Sequence, residues 1–135
     1  MLFTQKSEID IHEMSPLALA FVGDAVLELL VRARLVGTTR LQPNRLHTVA
    51  THYVSAHAQN LELDIIEPML TDAEAAVLRR GKNASKASVA KHATPQEYRA
   101  STGFECLLGW LHLKGRDDRV QELFEVLWNG YDPHQ

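Results

Sequence analysis

The feature that most constrains the fold is a long apolar segment that opens with a helix-capping signal. Ser15 and Pro16 place a capping hydroxyl directly before a proline, which favours the first turn of a helix. Apolar residues then recur through residue 36, and Gly37 follows as a helix-ending residue. We predict a helix over residues 16–36. Because apolar side chains cover nearly every face of it, this helix is expected to lie buried at the centre of the fold.

Proline and capping residues predict further helices along the chain. Pro43 starts a predicted helix that runs to about residue 60, and a shorter helix is expected over about 62–69. A capping box begins at Thr71 and predicts a helix over about 72–80, which Gly81 is expected to end.

The second half of the chain repeats these signals. Thr94 and Pro95 begin a predicted helix that extends to about residue 114, and residues 117–129 have the apolar spacing of a last amphipathic helix. No segment shows the strict alternation of a β-strand with confidence. The sequence therefore predicts an all-α helical bundle, with a single domain over residues 1–135 and a core from about residue 15 to residue 129.

Composition limits the class of protein. A chain of 135 residues, 45% of them apolar, has the material for one compact core. The single cysteine, Cys106, lies in an apolar run, so we expect a buried small side chain there rather than a nucleophile or a metal ligand. No stretch approaches the roughly 18 apolar residues of a membrane-spanning helix. With no disulfide framework, we expect a cytoplasmic protein without a membrane partner.

Positive charge is concentrated in residues 79–99. This segment carries a net charge of +5, whereas the whole chain carries −3. Its small and polar residues interrupt helical periodicity, which favours an exposed loop that follows a phosphate backbone. The alternative is a solvated surface loop without a partner. The side chains that carry the hypothesis of nucleic-acid binding are Arg79, Arg80, Lys82, Asn83 and Lys86.

Two acidic residues lie where the sequence predicts buried helices. Asp24 follows Gly23 in the middle of the first helix, and Glu105 lies in an apolar run that leads to Gly109. We expect the two glycines to mark a close approach of these helices. Carboxylates with open coordination positions suit Mg²⁺ or Mn²⁺, ions that activate water for phosphodiester chemistry.

The acids also have a purely structural interpretation. Asp24 and Glu105 would then form buried pairs with Arg32, Arg99 or a backbone donor. Glu28, one helical turn after Asp24, adds like charge on the same face unless a cation or a proton intervenes. The residues alone leave both interpretations open.

The acidic segments resemble the two motifs of the ribonuclease III catalytic domain. Residues 21–27, FVGDAVL, and residues 102–109, TGFECLLG, occur in the order of that family's motifs. The lead-in LALA at 17–20 and the segment RRGKN at 79–83 are similar to the Mini-III branch, which resembles the catalytic domain without a separate double-stranded-RNA-binding domain. The similarity extends over about residues 15–115.

The resemblance implies an all-helical homodimer that cuts both strands of double-stranded RNA with Mg²⁺, for which Mn²⁺ is a substitute. Asp24 and Glu105 match the family's catalytic metal ligands, and Phe21 matches the aromatic residue that packs across the dimer axis. The implied substrate is the stem formed by the paired ends of the large-subunit (23S) ribosomal RNA precursor. A ribosomal protein bound to that precursor is an implied additional partner.

The sequence departs from ordinary ribonuclease III members at two acidic positions. Ala20 lies four residues before Asp24, and Thr102 lies three residues before Glu105, where those members have a glutamate and an aspartate. These replacements favour one hydrated ion over a tight pair of metals. They also keep open a non-catalytic RNA-binding dimer that acts in ribosome assembly. A protein-binding helical adaptor is the third interpretation.

Overall fold

The structure is a computed structural model, and it describes residues 7–86 and 92–134. Within these ranges the chain forms six α-helices and two short 3₁₀ turns, and it forms no β-strand. The helices are α1 (Pro16–Thr38), α2 (Pro43–Val54), α3 (Ala56–Ile66), α4 (Asp72–Ala84), α5 (Pro95–Leu113) and α6 (Asp117–Gly130). The 3₁₀ turns cover Ile11–Glu13 and Glu67–Met69. The prediction of an all-α fold is confirmed.

Capping side chains begin the helices at the predicted places. Ser15 Oγ caps α1 by accepting a main-chain N–H at 3.1 Å. Capping boxes form at the starts of α4 and α5, where Thr71 and Thr94 each accept the N–H of the glutamate three residues later. The first turn of α4 is also tied to α6, because Arg119 binds both carboxylate oxygens of Glu74 at 2.9 Å.

The predicted helix over residues 43–60 is wrong, because Ser55 divides it. Ser55 has extended backbone angles, and its Oγ accepts the N–H of Ala58 at 3.1 Å, so α2 ends and α3 begins there. The separate helix expected over 62–69 is also wrong. Instead, α3 continues to Ile66 and a 3₁₀ turn follows it.

Two glycines that were expected to end helices lie inside them. Gly37 lies in the last turn of α1. Gly81 is buried in α4, where a Cβ atom would lie 2.7 Å from Cβ of Cys106 and 2.8 Å from Cα of Gly103. Gly81 therefore permits close packing of α4 on α5 instead of a turn. The loop predicted in the basic segment 79–99 is wrong at residues 79–83, since these residues continue α4, and residues 87–91 of the segment lie outside the described residues.

Helices α1 and α5 form the closest contact of the bundle. A Cβ atom at Gly23 would lie 1.6 Å from the main-chain oxygen of Glu105, and one at Gly109 would lie 1.9 Å from the main-chain oxygen of Leu19. The predicted close approach of these helices is confirmed. Around it the apolar core gathers buried side chains that include Leu27, Val31, Ile66, Phe104, Leu107, Leu123 and Phe124.

One face of α1 is exposed, which contradicts the expected burial of the whole helix. Phe21 is 83% exposed, and Leu17, Leu29 and Val36 are exposed as well. Asp24 also lies on the solvent side, although the sequence placed it in a buried segment. Helix α1 therefore buries one side against α5 and presents apolar side chains together with Asp24 on the other.

The prediction that Cys106 is a buried small side chain is confirmed. Cys106 is buried, and burial raises the pKa of its thiol to about 11, as suits an inert small side chain. Among the described residues, no helix combines the length and the apolar character needed to cross a bilayer.

Candidate active site

The side chains of Asp24 and Glu105 are neighbours at the contact between α1 and α5. The pKa of Glu105 is raised, first by burial and then by the nearby negative charge of Asp24. A hydrogen bond from Gln59 opposes this shift, and the charge of Glu28 adds to it. Two acids that are far apart in sequence thus form one acidic site, and their chemical role stays a prediction.

The structural interpretation of these acids finds no support. Within residues 7–86 and 92–134, no lysine, arginine or histidine forms an ion pair with Asp24 or Glu105. Arg32 binds Glu28 instead, with Nε at 3.0 Å from Oε2. The site therefore holds neighbouring carboxylates that no basic side chain of the described chain neutralises.

Glu105 is held by Gln59, a residue that the sequence analysis missed. Gln59 Nε2 donates to Oε2 of Glu105 at 3.0 Å and to the main-chain oxygen of Val54 at 2.9 Å. The side chain is 1% exposed. Its position was detectable, because Gln59 shares helical spacing with the buried residues Leu63 and Ile66 on α3.

The two non-acidic positions near the site are buried. Ala20 packs in the core, and Thr102 Oγ1 donates to the main-chain oxygen of Tyr98 at 3.0 Å and lies within hydrogen-bonding distance, 3.2 Å, of the Ser85 hydroxyl. Neither residue extends the acidic cluster. In the part of the chain that the structure describes, no group of three or more histidine, cysteine, aspartate or glutamate side chains is arranged to hold a metal ion. An ion at this site would therefore have two carboxylates of the chain as its main ligands.

Four of the predicted RNA-binding residues lie in the last turns of α4 rather than in a loop, and Lys86 lies just after the helix. Arg79, Arg80, Asn83 and Lys86 are exposed, and Lys82 is partly buried. We call this set the α4 basic end. Of the other basic residues in the predicted segment, Arg99 lies in α5, and Lys91 lies outside the described residues.

The α4 basic end packs on α5, the helix that carries Glu105. A Cβ atom at Gly103 would lie 2.7 Å from Cγ of Lys82, so the Lys82 side chain packs on α5 at Gly103, a position about 200° around the helix from Glu105. The charge of Arg80 also acts on Cys106, the residue that follows Glu105. The α4 basic end and Glu105 thus lie on two helices that pack directly on each other.

A helical bundle with this fold and this acidic site is of the ribonuclease III class. Residues 17–116 match the family model described as Ribonuclease III domain. The chain is 44% identical over 116 residues to a Mini-ribonuclease 3 from Enterococcus faecalis, a match that covers 84% of this chain and 88% of that protein. It is 42% identical over 123 residues to a Mini-ribonuclease 3 from Brevibacillus brevis, with 90% and 92% covered. The chain belongs to the ribonuclease III family and, within it, to the Mini-ribonuclease 3 branch.

A solved structure shares this fold. The crystal structure of a Fusobacterium nucleatum protein superposes with a TM-score of 0.81 at 26% sequence identity, and the match covers 90% of this chain and 97% of that one. The predicted fold and enzyme class are confirmed: the chain is an endoribonuclease that acts on double-stranded RNA. The non-catalytic and adaptor interpretations lose their support.

Proposed function

We propose that this endoribonuclease is a metal-dependent homodimer that uses Asp24 and Glu105 to cut both strands of an RNA duplex. The observation that carries the proposal is the neighbouring pair of carboxylates, which no basic side chain of residues 7–86 and 92–134 neutralises. An enzyme gains nothing in stability from unpaired like charges, so their retention at the contact of α1 with α5 indicates a catalytic use.

The donor set fits Mg²⁺ or Mn²⁺. Carboxylate oxygens suit both ions, and Mg²⁺ keeps several waters when one or two carboxylates bind it. Asp24 is exposed toward solvent, and Glu105 is partly buried and oriented by Gln59, so an arriving phosphate reaches Asp24 first. When bound, such an ion would lower the pKa of a coordinated water and offset negative charge at the scissile phosphate.

The exposed face of α1 supports the homodimer. At about 100° per residue, Leu17, Phe21, Asp24 and Glu28 fall within about 60° of one another around the helix. The apolar side chains of this face are therefore adjacent to an acid of the site. A second copy that packs on Phe21 would cover this apolar surface and bring two acidic sites to one RNA duplex, so that each subunit cuts one strand.

In this proposal the α4 basic end binds the phosphate backbone of the RNA. Arginine and lysine bind phosphates without reading sequence, and A-form duplexes are recognised mainly through phosphates and 2′-hydroxyls across the shallow groove. Because Lys82 packs on α5, the helix that carries Glu105, we expect a duplex bound along α4 to extend to the acids.

We further propose that the substrate is the stem formed by the paired ends of the 23S ribosomal RNA precursor. The support is the similarity to the Mini-ribonuclease 3 branch, and the proposed site of action is the cytoplasm. A ribosomal protein bound to the precursor is proposed to present the stem. A transcript of the paired ends is expected to be cut faster than an unrelated duplex of equal length, and equal rates would contradict this part of the proposal.

Cleavage of an end-labelled RNA duplex tests the metal site. The wild-type chain is expected to cut with Mg²⁺ and to stop with a chelator. Asp24→Asn keeps the side-chain volume and is expected to bind the duplex without cutting it. Asp64→Asn, an exposed acid on α3, is the matched control and should cut normally. Cutting in chelator, or undiminished cutting by Asp24→Asn, would contradict the proposal.

A further inference from the structure

Gln59 connects three helices at the acidic site. It projects from α3, and its Nε2 donates to the main-chain oxygen of Val54, the last residue of α2, and to Oε2 of Glu105 on α5. Its side chain is 1% exposed, so water cannot readily replace either bond. Gln59 thus makes a buried hydrogen bond between helices to Glu105, whereas the hydrogen bond of Gln121 with Glu125 is exposed and lies within α6.

The two hydrogen bonds fix which way the Gln59 amide faces. Both hydrogens of Nε2 are committed to acceptors, one to Val54 and one to Glu105. A flipped amide would turn Oε1 toward the same two acceptors, which would be repulsive. Oε1 itself has no partner among the described residues, so the observed orientation is set by the two donated bonds.

We propose that Gln59 is a positioning residue that orients the Glu105 carboxylate for binding a divalent ion. The inference rests on the function proposed above. Gln59 occupies Oε2 of Glu105 and leaves Oε1 without a partner within the described residues, so one oxygen is anchored and the other is available to a ligand. A donor to the ionised carboxylate also favours the form that binds cations.

Loss of the Gln59 donor should weaken ion binding more than RNA binding. Partners that orient a ligating group typically change metal affinity by about 10–100-fold when they are removed. Gln59→Met keeps an unbranched side chain of similar length but cannot donate. We expect it to weaken Mn²⁺ binding by about tenfold or more, and to raise the Mg²⁺ concentration needed for half-maximal cleavage by a similar factor.

Isothermal titration calorimetry with Mn²⁺, in the absence of RNA, measures this effect directly. Gln121→Met is the matched control, because it removes a glutamine–glutamate hydrogen bond of the same chemistry at the surface of α6. It should bind Mn²⁺ like the wild-type chain. Duplex affinity measured in chelator should be equal for all three proteins, because Gln59 touches the acid and not the RNA-binding side chains.

A second measurement needs no substitution. The side-chain NH₂ resonances of Gln59 in the wild-type protein should shift on saturation with Mg²⁺, while those of Gln121 stay in place. Unshifted Gln59 resonances, or wild-type Mn²⁺ affinity in a folded Gln59→Met variant, would overturn the inference for Gln59 alone. If the wild-type chain itself bound no Mn²⁺, the proposed metal site would fail instead.

Discussion

Gly23 lies directly against the main-chain carbonyl oxygen of Glu105, so the residue before one acid touches the residue that carries the other. A Cβ atom at Gly23 would lie 1.6 Å from that oxygen. No side chain can be accommodated there without moving a helix, because the obstructing atom belongs to the backbone. The spacing of Asp24 and Glu105 therefore depends on a glycine contact.

Gly23→Ala is expected to push α1 away from α5. Overpacking of this kind costs about 1–3 kcal/mol of unfolding free energy, and the backbone contact places this site at the upper end. Cleavage should fall by about 100-fold, since a displacement of about 1 Å in an active site has that effect. Thermal unfolding and single-turnover cleavage measure the two losses.

Gly37→Ala is the matched control in the same helix. No atom lies within 4 Å of a Cβ atom at Gly37, so the substitution should leave cleavage unchanged and stabilise the helix by up to about 1 kcal/mol. Full activity of Gly23→Ala, or equal losses in both variants, would contradict the role given to the contact.

The helix starts were predictable because their signals are local. A capping hydroxyl or a proline acts within one turn, so Ser15, Thr71 and Thr94 indicated the starts of α1, α4 and α5. Helix ends were not predictable from glycine alone. Gly81 lies inside α4 because α5 comes close to it, and that reason is visible only in three dimensions.

The site was predictable in part. The apolar residues around Asp24 in the sequence suggested that it is buried. In the structure some of these residues pack on α5, whereas others, such as Phe21, are exposed. Gln59 was missed because a glutamine carries no charge to mark it, although its spacing on α3 places it on the buried face. Its partner Glu105 lies on another helix, so no local pattern could reveal the bond.

Substitution of Phe21 should separate the proposed dimer. Phe21 is 83% exposed and has exposed apolar neighbours on α1, so Phe21→Ser is expected to give a monomer that cuts poorly. Sedimentation velocity measures the change in mass. Val126→Ser removes an exposed apolar side chain from α6 and should leave the dimer intact. An unchanged dimer in Phe21→Ser would contradict the assigned interface.

Neutralising the α4 basic end should reduce both RNA affinity and its dependence on salt. Each phosphate contact that is lost reduces the steepness of the plot of log affinity against log salt concentration by about 1. The slope for the triple variant Arg79→Ala, Arg80→Ala, Lys82→Ala should therefore be shallower by about 2–3. Filter binding of a duplex at several salt concentrations measures the slope. Lys114→Ala is the control, because Lys114 is an exposed basic residue that lies just after the C-terminal end of α5. An unchanged slope in the triple variant would contradict the proposal that the α4 basic end binds RNA.

Glu62 is a buried acid that the proposed chemistry does not use. It is 0% exposed, and neither of its carboxylate oxygens has a hydrogen-bond partner among the described residues. Burial raises its pKa to about 9. Its charge also adds to the effect of burial in raising the pKa of Tyr53 and of Tyr131. The folded chain therefore keeps Glu62 protonated at neutral pH.

Stability should fall as pH rises because of Glu62. The unfolded chain releases this proton near the ordinary pKa of 4.5, whereas the folded chain holds it to about 9. Protonated Glu62 contributes fully to the free energy of unfolding below the unfolded-state pKa of 4.5. This contribution is lost as pH rises toward the folded-state pKa of about 9. Glu62→Gln removes this loss, so it should be more stable than the wild-type chain at about pH 8, by a margin that shrinks toward about pH 5.

Urea unfolding of both proteins at the two pH values measures the margin. Asp64→Asn, which removes an exposed acid from the same helix, should show no such trend relative to wild type. A stability difference between Glu62→Gln and wild type that is the same at both pH values would show that Glu62 does not titrate as its burial predicts.

Strand-resolved cleavage by mixed dimers tests most directly whether each subunit cuts one strand with its own Asp24 and Glu105. Wild-type and Asp24→Asn chains with different tags are co-expressed, and dimers that carry both tags are given an RNA duplex with a distinct label on each strand. With Mg²⁺, the mixed dimer should nick one strand in a single turnover, the wild-type dimer should cut both, and the Asp24→Asn dimer should cut neither. Cutting of both strands by the mixed dimer, or of any strand by the Asp24→Asn dimer, would contradict the assignment.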